Sequence, residues 1–330
     1  MNVKKIIAGA AILLALTTSM FAAKAKKSDK LKVVTTIFPE YDWTREIIGD
    51  KASNVELTLL LGNGVDLHSY QPSIQDIAKI STADIFIYVG GESDGWVKDA
   101  LKNATNKNMK VINLMETLGD KVKAEEIKEG MQAEEEEEHE HHHDGDHDED
   151  EVEYDEHVWL SLRNAKILCA EIAATLCEKD PANAASYKAN LASYTARLDA
   201  LDAKYAATVK AGSKKTILFG DRFPFRYLVD DYGLDYFAAF VGCSAETEAS
   251  FETVIFLSKK VDELGLNSVL KIESGDGKIA RTIIQNTRKK NARVLTLDSI
   301  QSTTLKQAKT GTTYLSIMED NLKVLEEVLK

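Results

Sequence analysis

One stretch of the chain, residues 181–209, contains nothing that would interrupt an α-helix. Asp180 is a suitable N-cap, Pro181 suits the first helical position, and Gly212 follows where the helical pattern ends. At ~1.5 Å per residue this helix would be about 45 Å long, more than a single small domain needs. We therefore expect a long helix that joins two separately folded halves.

On both sides of this helix, short β-branched segments alternate with segments of helical periodicity, which is typical of βαβ units and parallel sheets. The predicted fold class is α/β, with two parallel-sheet α/β lobes bridged by one long rigid helix. The predicted strands are 32–37, 55–61, 84–89, 110–114, 215–219, 235–240, 268–272 and 293–297, and the other predicted helices are 42–48, 73–80, 96–101, 161–177, 222–232, 250–264, 278–289 and 314–329. The predicted boundaries are 26–179 for the N-terminal lobe, 180–212 for the linking helix and 213–330 for the C-terminal lobe.

The N-terminus has the pattern of a secretory signal peptide. Lys4 and Lys5 precede an apolar run at 6–16 that is too short to span a bilayer. Ala23-Lys24-Ala25 offers a cleavage site, after Ala25 or after Ala23. We therefore expect residues 1–25 to be removed and the protein to work in the periplasm or another extracytoplasmic compartment.

A tract rich in histidine and acid, residues 134–159, holds six of the seven histidines and fifteen carboxylates, with no Lys or Arg. Without these carboxylates the formal charge of −12 would become +3, so no basic stripe is available for nucleic acid. We interpret 133–156 as a loop, since the tract has few apolar residues, and as either a solvated acidic linker or a weak metal-capture segment. The auxiliary weak metal ligands would be His139, His141, His142, His143 and His147.

Nitrogen and oxygen donors follow the predicted strands of both halves. His68 lies beyond the second strand, Asp221, Glu273 and Asp298 each follow a strand of the second half, and His157 ends the acidic tract. Ligands of open α/β sheets bind beyond the carboxyl ends of the strands. These residues therefore predict a divalent-metal site in the cleft between the lobes.

Two segments carry a resemblance to a known family. VDLHSYQPS (65–73) resembles its D-P-H-x-Y-x-P-S motif, and DEHVWLSLRNA (155–165) resembles its D-P-H-x-W-L-x-P-x-N-A motif. The family is the cluster A-I solute-binding proteins of zinc and manganese ABC importers, and the likeness covers nearly the whole mature chain. It implies two α/β lobes bridged by one long helix, with His68 and His157 as metal ligands and Asp298 as the last ligand.

The third ligand departs from the family pattern. Asp221 stands where zinc-binding members usually have His and manganese-binding members Glu, so we predict Asp221 as the ligand, with Glu273 as a substitute or sharing the role. Arg222 would then need a carboxylate partner such as Glu246 or Glu248, because a cation beside a metal is unfavourable. The histidine-rich loop favours zinc over manganese, whereas the extra oxygen ligand favours manganese, and zinc is our choice.

The predicted function is an extracytoplasmic, monomeric substrate-binding protein that carries Zn²⁺ as cargo to an ABC permease with a cytoplasmic ATPase. Manganese or iron binding by the same class is one alternative, and a metal-dependent adhesin or a secreted metal hydrolase is another. No catalytic motif supports an enzyme. HEHHH at 139–143 matches the zinc-protease motif H-E-x-x-H, but it lacks the apolar helix face that this motif needs. Cys169, Cys177 and Cys243 allow at most one disulfide, which would require Cys243.

Overall fold

The computed structural model describes residues 30–132, 152–244 and 248–330. The predicted signal peptide, the five auxiliary histidines of the tract and Glu246 lie outside these residues. In the N-terminal lobe, a parallel sheet has the order β2-β1-β3-β4, and its inner strands are nearly fully buried because helices cover the sheet. The strands are β1 (Leu31–Thr35), β2 (Val55–Leu59), β3 (Ile85–Tyr88) and β4 (Lys110–Asn113).

The helices of the N-terminal lobe are α1 (Phe38–Ile48), α2 (Ile74–Ser81), α3 (Val97–Lys102), α4 (Leu114–Leu118) and α5 (Leu162–Lys179). Helix α1 begins four residues earlier than predicted, because Pro39 lies in the first turn, where proline is tolerated. The buried Glu40 carboxylate accepts the backbone N–H groups of Thr36 and Ile37 at 2.8 and 3.3 Å, which caps this helix. Helix α4 was not predicted.

The C-terminal lobe contains two pairs of parallel strands, β5-β6 and β7-β8. A parallel bridge between Phe219 and Leu270 places β5 beside β7. The predicted helix 222–232 is wrong in its first four residues: Arg222 forms a bridge with Phe240 and the helix begins at Arg226. The elements are β5 (Thr216–Leu218), α7 (Arg226–Tyr232), β6 (Asp235–Phe237), α8 (Phe251–Glu263), β7 (Ser268–Lys271), α9 (Lys278–Asn286), β8 (Arg293–Thr296), α10 (Leu305–Lys309) and α11 (Tyr314–Val328).

The predicted long helix is present as α6 (Ala184–Ala211), whose 28 residues correspond to about 42 Å. It packs against α1 and α5 of the N-terminal lobe and against α7 and α11 of the C-terminal lobe. Asn190 donates a hydrogen bond to the Ile47 carbonyl oxygen at 3.0 Å, and the Tyr205 hydroxyl donates to the Met318 carbonyl oxygen at 2.6 Å. One rigid helix is therefore fixed to both lobes.

The three cysteines, Cys169, Cys177 and Cys243, are free thiols. Among the described residues, none of the helices combines the length and the apolar character that crossing a membrane would require.

Candidate metal centre

His68 lies in a short 3₁₀ turn, Leu67–Ser69, that follows β2. Asp66 caps this turn, since its carboxylate accepts the backbone N–H of His68 at 3.1 Å. On the other side of the ring, His68 Nδ1 lies 2.8 Å from the Ser93 hydroxyl oxygen and 3.5 Å from Glu156 Oε2. These contacts orient the ring and leave Nε2 as the nitrogen available to a ligand.

His157 is fully buried immediately before the turn Val158–Leu160 that leads into α5. Asp155 Oδ1 accepts both the backbone N–H of His157, at 2.8 Å, and the ring N–H at Nδ1, at 3.0 Å. The adjacent Trp159 is held by two buried hydrogen bonds, one donated to the Ser299 carbonyl oxygen at 2.9 Å and one accepted from the Tyr314 hydroxyl at 2.7 Å. The His157 ring therefore has a fixed orientation with Nε2 directed at His68.

The two imidazole rings meet at their Nε2 atoms, which are 3.1 Å apart. Two nitrogen ligands of a tetrahedral zinc ion, each at ~2.0–2.1 Å from the metal, would be about 3.3 Å apart. Burial, reinforced by the neighbouring His157, lowers the pKa of His68 to about 3. The pair is thus held close to the spacing that zinc needs, and His68 is in the neutral form that binds metals.

A third donor, the Cys243 thiol, lies beside the pair: its sulfur and one nitrogen of each histidine are within 4.8 Å of one another. Gly242 allows this approach, since a Cβ there would lie 2.9 Å from the Phe223 carbonyl oxygen and 3.2 Å from His157 Cε1. The Cys243 backbone N–H donates to Glu125 at 3.1 Å, which fixes the segment. Cys243 was not among the predicted ligands, although its place after a strand of the C-terminal lobe is the signal that singled out the others.

Asp221 is engaged elsewhere. Its two carboxylate oxygens accept the backbone N–H groups of Arg222 at 2.9 Å and of Ile272 at 3.2 Å. The Arg222 guanidinium forms an ion pair with Asp66 of the opposite lobe, and not with Glu248 as suggested by the sequence. Asp221 and Asp66 both line a cavity of about 480 Å³ between the lobes.

Glu273 and Asp298 form a separate acidic pair. The Glu273 carboxylate accepts hydrogen bonds from the backbone N–H and hydroxyl groups of both Ser299 and Ser302, at 2.7 to 3.3 Å. Asp298 accepts the backbone N–H of Ile300 at 2.7 Å, and burial together with the Glu273 charge raises the pKa of Asp298 to about 7. These carboxylates organise the loop after β8.

Within residues 30–132, 152–244 and 248–330, the group of three potential ligands that the fold assembles is His68, His157 and Cys243. Asp221, Glu273 and Asp298 are outside that group, and their predicted roles as ligands stay predictions.

Comparison with known sequences identifies the family. A sequence model of the family described as zinc-uptake complex component A, periplasmic (ZnuA), matches residues 33–328. The chain belongs to the ZnuA family.

The relatives of this ZnuA-family chain include two curated proteins. It is 29% identical over 296 residues to the zinc-binding protein AdcA of Streptococcus pyogenes serotype M3, covering 90% of this chain and 55% of that protein. It is 31% identical over 303 residues to the high-affinity zinc uptake system protein ZnuA of Bacillus subtilis, covering 92% of this chain and 89% of that protein. The chain thus spans about half the length of the first of these relatives and most of the second.

The fold is also similar to a solved structure, the Zn(II)-bound ZnuA-like domain of Streptococcus pneumoniae AdcA. The TM-score is 0.68 at 28% sequence identity, and the match covers 91% of this chain and 99% of that domain. This similarity and the structure together confirm the predicted fold class, α/β with parallel sheets and a long helix.

Proposed function

We propose that this protein is the extracytoplasmic substrate-binding protein of an ABC importer and that its cargo is Zn²⁺. The observation that carries the proposal is the 3.1 Å approach of His68 Nε2 and His157 Nε2 in a chain of the ZnuA family. Imidazole nitrogen is a favoured ligand of zinc, whereas manganese is better served by oxygen donors. The relatives described as zinc-binding and zinc-uptake proteins support the same cargo.

Capture of zinc would use neutral imidazoles. The Nδ1–H of His157 donates to Asp155, and with zinc on Nε2 the Nδ1–H of His68 donates to Ser93, so each ring presents an Nε2 lone pair. In the metal-free protein the Nε2–H of His68 donates to His157 Nε2 across the 3.1 Å contact, so zinc binding requires His68 to change tautomer, its proton passing from Nε2 to Nδ1 by exchange with solvent and no net proton being released. The proposed cargo is a metal ion that undergoes no chemical reaction, so the protein would act as a carrier and not as an enzyme.

Delivery would involve a membrane permease and a cytoplasmic ATPase, with residues 1–25 directing export. Because α6 is packed against both lobes, we expect only a small rotation of the lobes when zinc binds or leaves. The histidine-rich tract would bind zinc weakly and raise its concentration near His157.

A titration of metal-free protein tests this function. We expect the unaltered protein to bind one Zn²⁺ tightly in competition with a chelator, and His68→Ala or His157→Ala to weaken that binding by more than about 100-fold. Deletion of 133–150 serves as the control and should remove only weak binding. Absence of tight zinc binding, or tight binding that survives both histidine substitutions, would exclude the proposed function.

A further inference from the structure

We propose that the Cys243 thiolate is the third protein ligand of the transported ion and that it makes the site select zinc against manganese. This inference rests on the proposed function and concerns the same site. It replaces the expected oxygen ligand, Asp221, with sulfur.

Proximity and enclosure support Cys243. Its sulfur belongs to the group of donors within 4.8 Å that includes one nitrogen from each histidine. In a tetrahedral site with Zn–S of ~2.3 Å and Zn–N of ~2.0 Å, sulfur and nitrogen would be about 3.5 Å apart, so a small inward movement of the thiol completes the geometry. A Cβ added at Gly242 would lie only 3.2 Å from His157 Cε1, so the backbone of this segment lies close to the histidine ring.

Two of the predicted oxygen ligands, Asp221 and Glu273, have both carboxylate oxygens engaged in hydrogen bonds. Both oxygens of Asp221 accept backbone N–H groups, one of them from Ile272, the residue that follows β7. Both oxygens of Glu273 accept hydrogen bonds from the loop after β8. Moving either carboxylate to the histidines would leave buried backbone donors without partners, which costs about 1–3 kcal/mol each, whereas the Cys243 sulfur already lies beside both rings.

The chemistry of sulfur gives the consequence for selectivity. Thiolate is a soft ligand that favours zinc, cadmium and cobalt over the hard manganese ion. As the metal–sulfur bond forms, the thiol loses its proton to solvent, so zinc binding should release that proton. Burial and the nearby carboxylates of Glu125, Asp155 and Glu156 raise the pKa of the Cys243 thiol, opposed by a hydrogen bond from the Glu156 backbone N–H, so the thiol keeps its proton until the metal–sulfur bond forms.

Cobalt(II) provides a direct probe, because sulfur ligation produces an intense thiolate-to-cobalt charge-transfer absorption that nitrogen and oxygen ligands do not give. We expect this absorption in the unaltered protein and in the Cys177→Ser control, whose thiol packs against the Ala184 carbonyl oxygen away from the site. In Cys243→Ser the absorption should vanish, and zinc should bind more than about 100-fold more weakly. In Cys243→Asp a carboxylate oxygen replaces the sulfur, so the ratio of zinc affinity to manganese affinity should decrease.

A second measurement uses the unaltered protein, in case substitutions at 243 impair folding. Zinc should protect Cys243 from alkylation by iodoacetamide, as located by peptide mapping, and alkylated protein should lose tight zinc binding. If the unaltered protein binds zinc tightly without sulfur-to-cobalt absorption, or if Cys243→Ser retains full affinity and selectivity, this inference is wrong while the proposed function stands. If the unaltered protein does not bind zinc, the proposed function itself fails.

Discussion

Asp155 and His157 are joined through a single carboxylate oxygen, which accepts the backbone N–H of His157 at 2.8 Å and its ring N–H at 3.0 Å. This double contact fixes both the backbone and the tautomer of the histidine, so that Nε2 keeps its lone pair. Carboxylates that orient metal-binding histidines in this way commonly contribute 10- to 100-fold to metal affinity. Asp155 is therefore expected to position His157 without touching the ion.

Replacing Asp155 by Ala should weaken zinc binding by about 10- to 100-fold, because the His157 ring loses its fixed orientation. Competition with a chelator measures the affinity, and Asp199→Ala, which removes a carboxylate from an exposed pair with Lys166, is the matched control. Equal zinc affinities of the Asp155→Ala and Asp199→Ala proteins would show that Asp155 does not position the ring.

The ion pair between Arg222 and Asp66 connects the two lobes beside the metal centre, and both side chains are mostly buried. Arg222→Met should lower the free energy of unfolding by about 1–3 kcal/mol, because Asp66 is left without its cationic partner. Urea denaturation measures this difference. Arg197→Met is the control: its pair with Glu46 is half exposed, and such surface pairs contribute about 0–1 kcal/mol. A loss no larger than in that control would contradict the prediction.

Much of the fold could be predicted because strand and helix periodicities differ and because 181–209 contains no helix breaker. The predicted helix boundaries were wrong where a residue type is compatible with two kinds of local structure. Pro39 ends the strand pattern of 32–37 in the sequence, yet proline is also compatible with the first turn of a helix, and it lies in the first turn of α1. The predicted helix 222–232 includes Pro224 near its start, and the backbone pairing of Arg222 with Phe240 keeps the first residues of this segment out of the helix. Such tertiary hydrogen bonds override local propensity and are not visible in the sequence.

The candidate site was predictable only in part. The motifs around His68 and His157 predicted both histidines as metal ligands, and the fold places their rings side by side. The hydrogen-bond partners of a side chain after a strand were not predictable: the Asp221 carboxylate accepts the backbone N–H of Ile272, which lies 51 residues further along the chain. Cys243 reaches the site because Gly242 allows a close approach to His157, a contact that sequence spacing does not reveal.

The buried carboxylate of Asp94 should make the free energy of unfolding depend on pH. Burial, opposed by a hydrogen bond from the Gly90 N–H and reinforced by the nearby Glu156, raises the pKa of Asp94 to about 7. In the unfolded chain Asp titrates near pH ~3.9, so between about pH 4 and 7 the folded state holds more protons and stability falls as the pH rises. The destabilisation that results from ionising Asp94 in the folded protein is absent below about pH 4 and reaches its full value above about pH 7.

Asp94→Asn should therefore raise the free energy of unfolding at pH 8 by about 2–4 kcal/mol and leave it nearly unchanged at pH 4, since each unit of pKa shift corresponds to ~1.4 kcal/mol. Urea denaturation at a series of pH values measures the difference from the unaltered protein. Asp99→Asn, which changes an exposed carboxylate, is the control. A difference between Asp94→Asn and the unaltered protein that does not vary with pH would contradict the assignment.

The substitution Asp221→Ala distinguishes two ligand sets: the one expected from the sequence, which includes Asp221, and the one that the fold assembles, which includes Cys243. If Asp221 binds the ion, Asp221→Ala should reduce zinc affinity by more than about 100-fold. We expect a change of less than about 10-fold, because both of its oxygens are engaged by backbone N–H groups and the Cys243 sulfur is nearer the histidines. The same substitution should lower the free energy of unfolding by about 1–3 kcal/mol, since the Ile272 N–H loses its acceptor. Chelator competition and urea denaturation on one preparation separate the two effects, and a large loss of affinity with unchanged stability would restore Asp221 as a ligand.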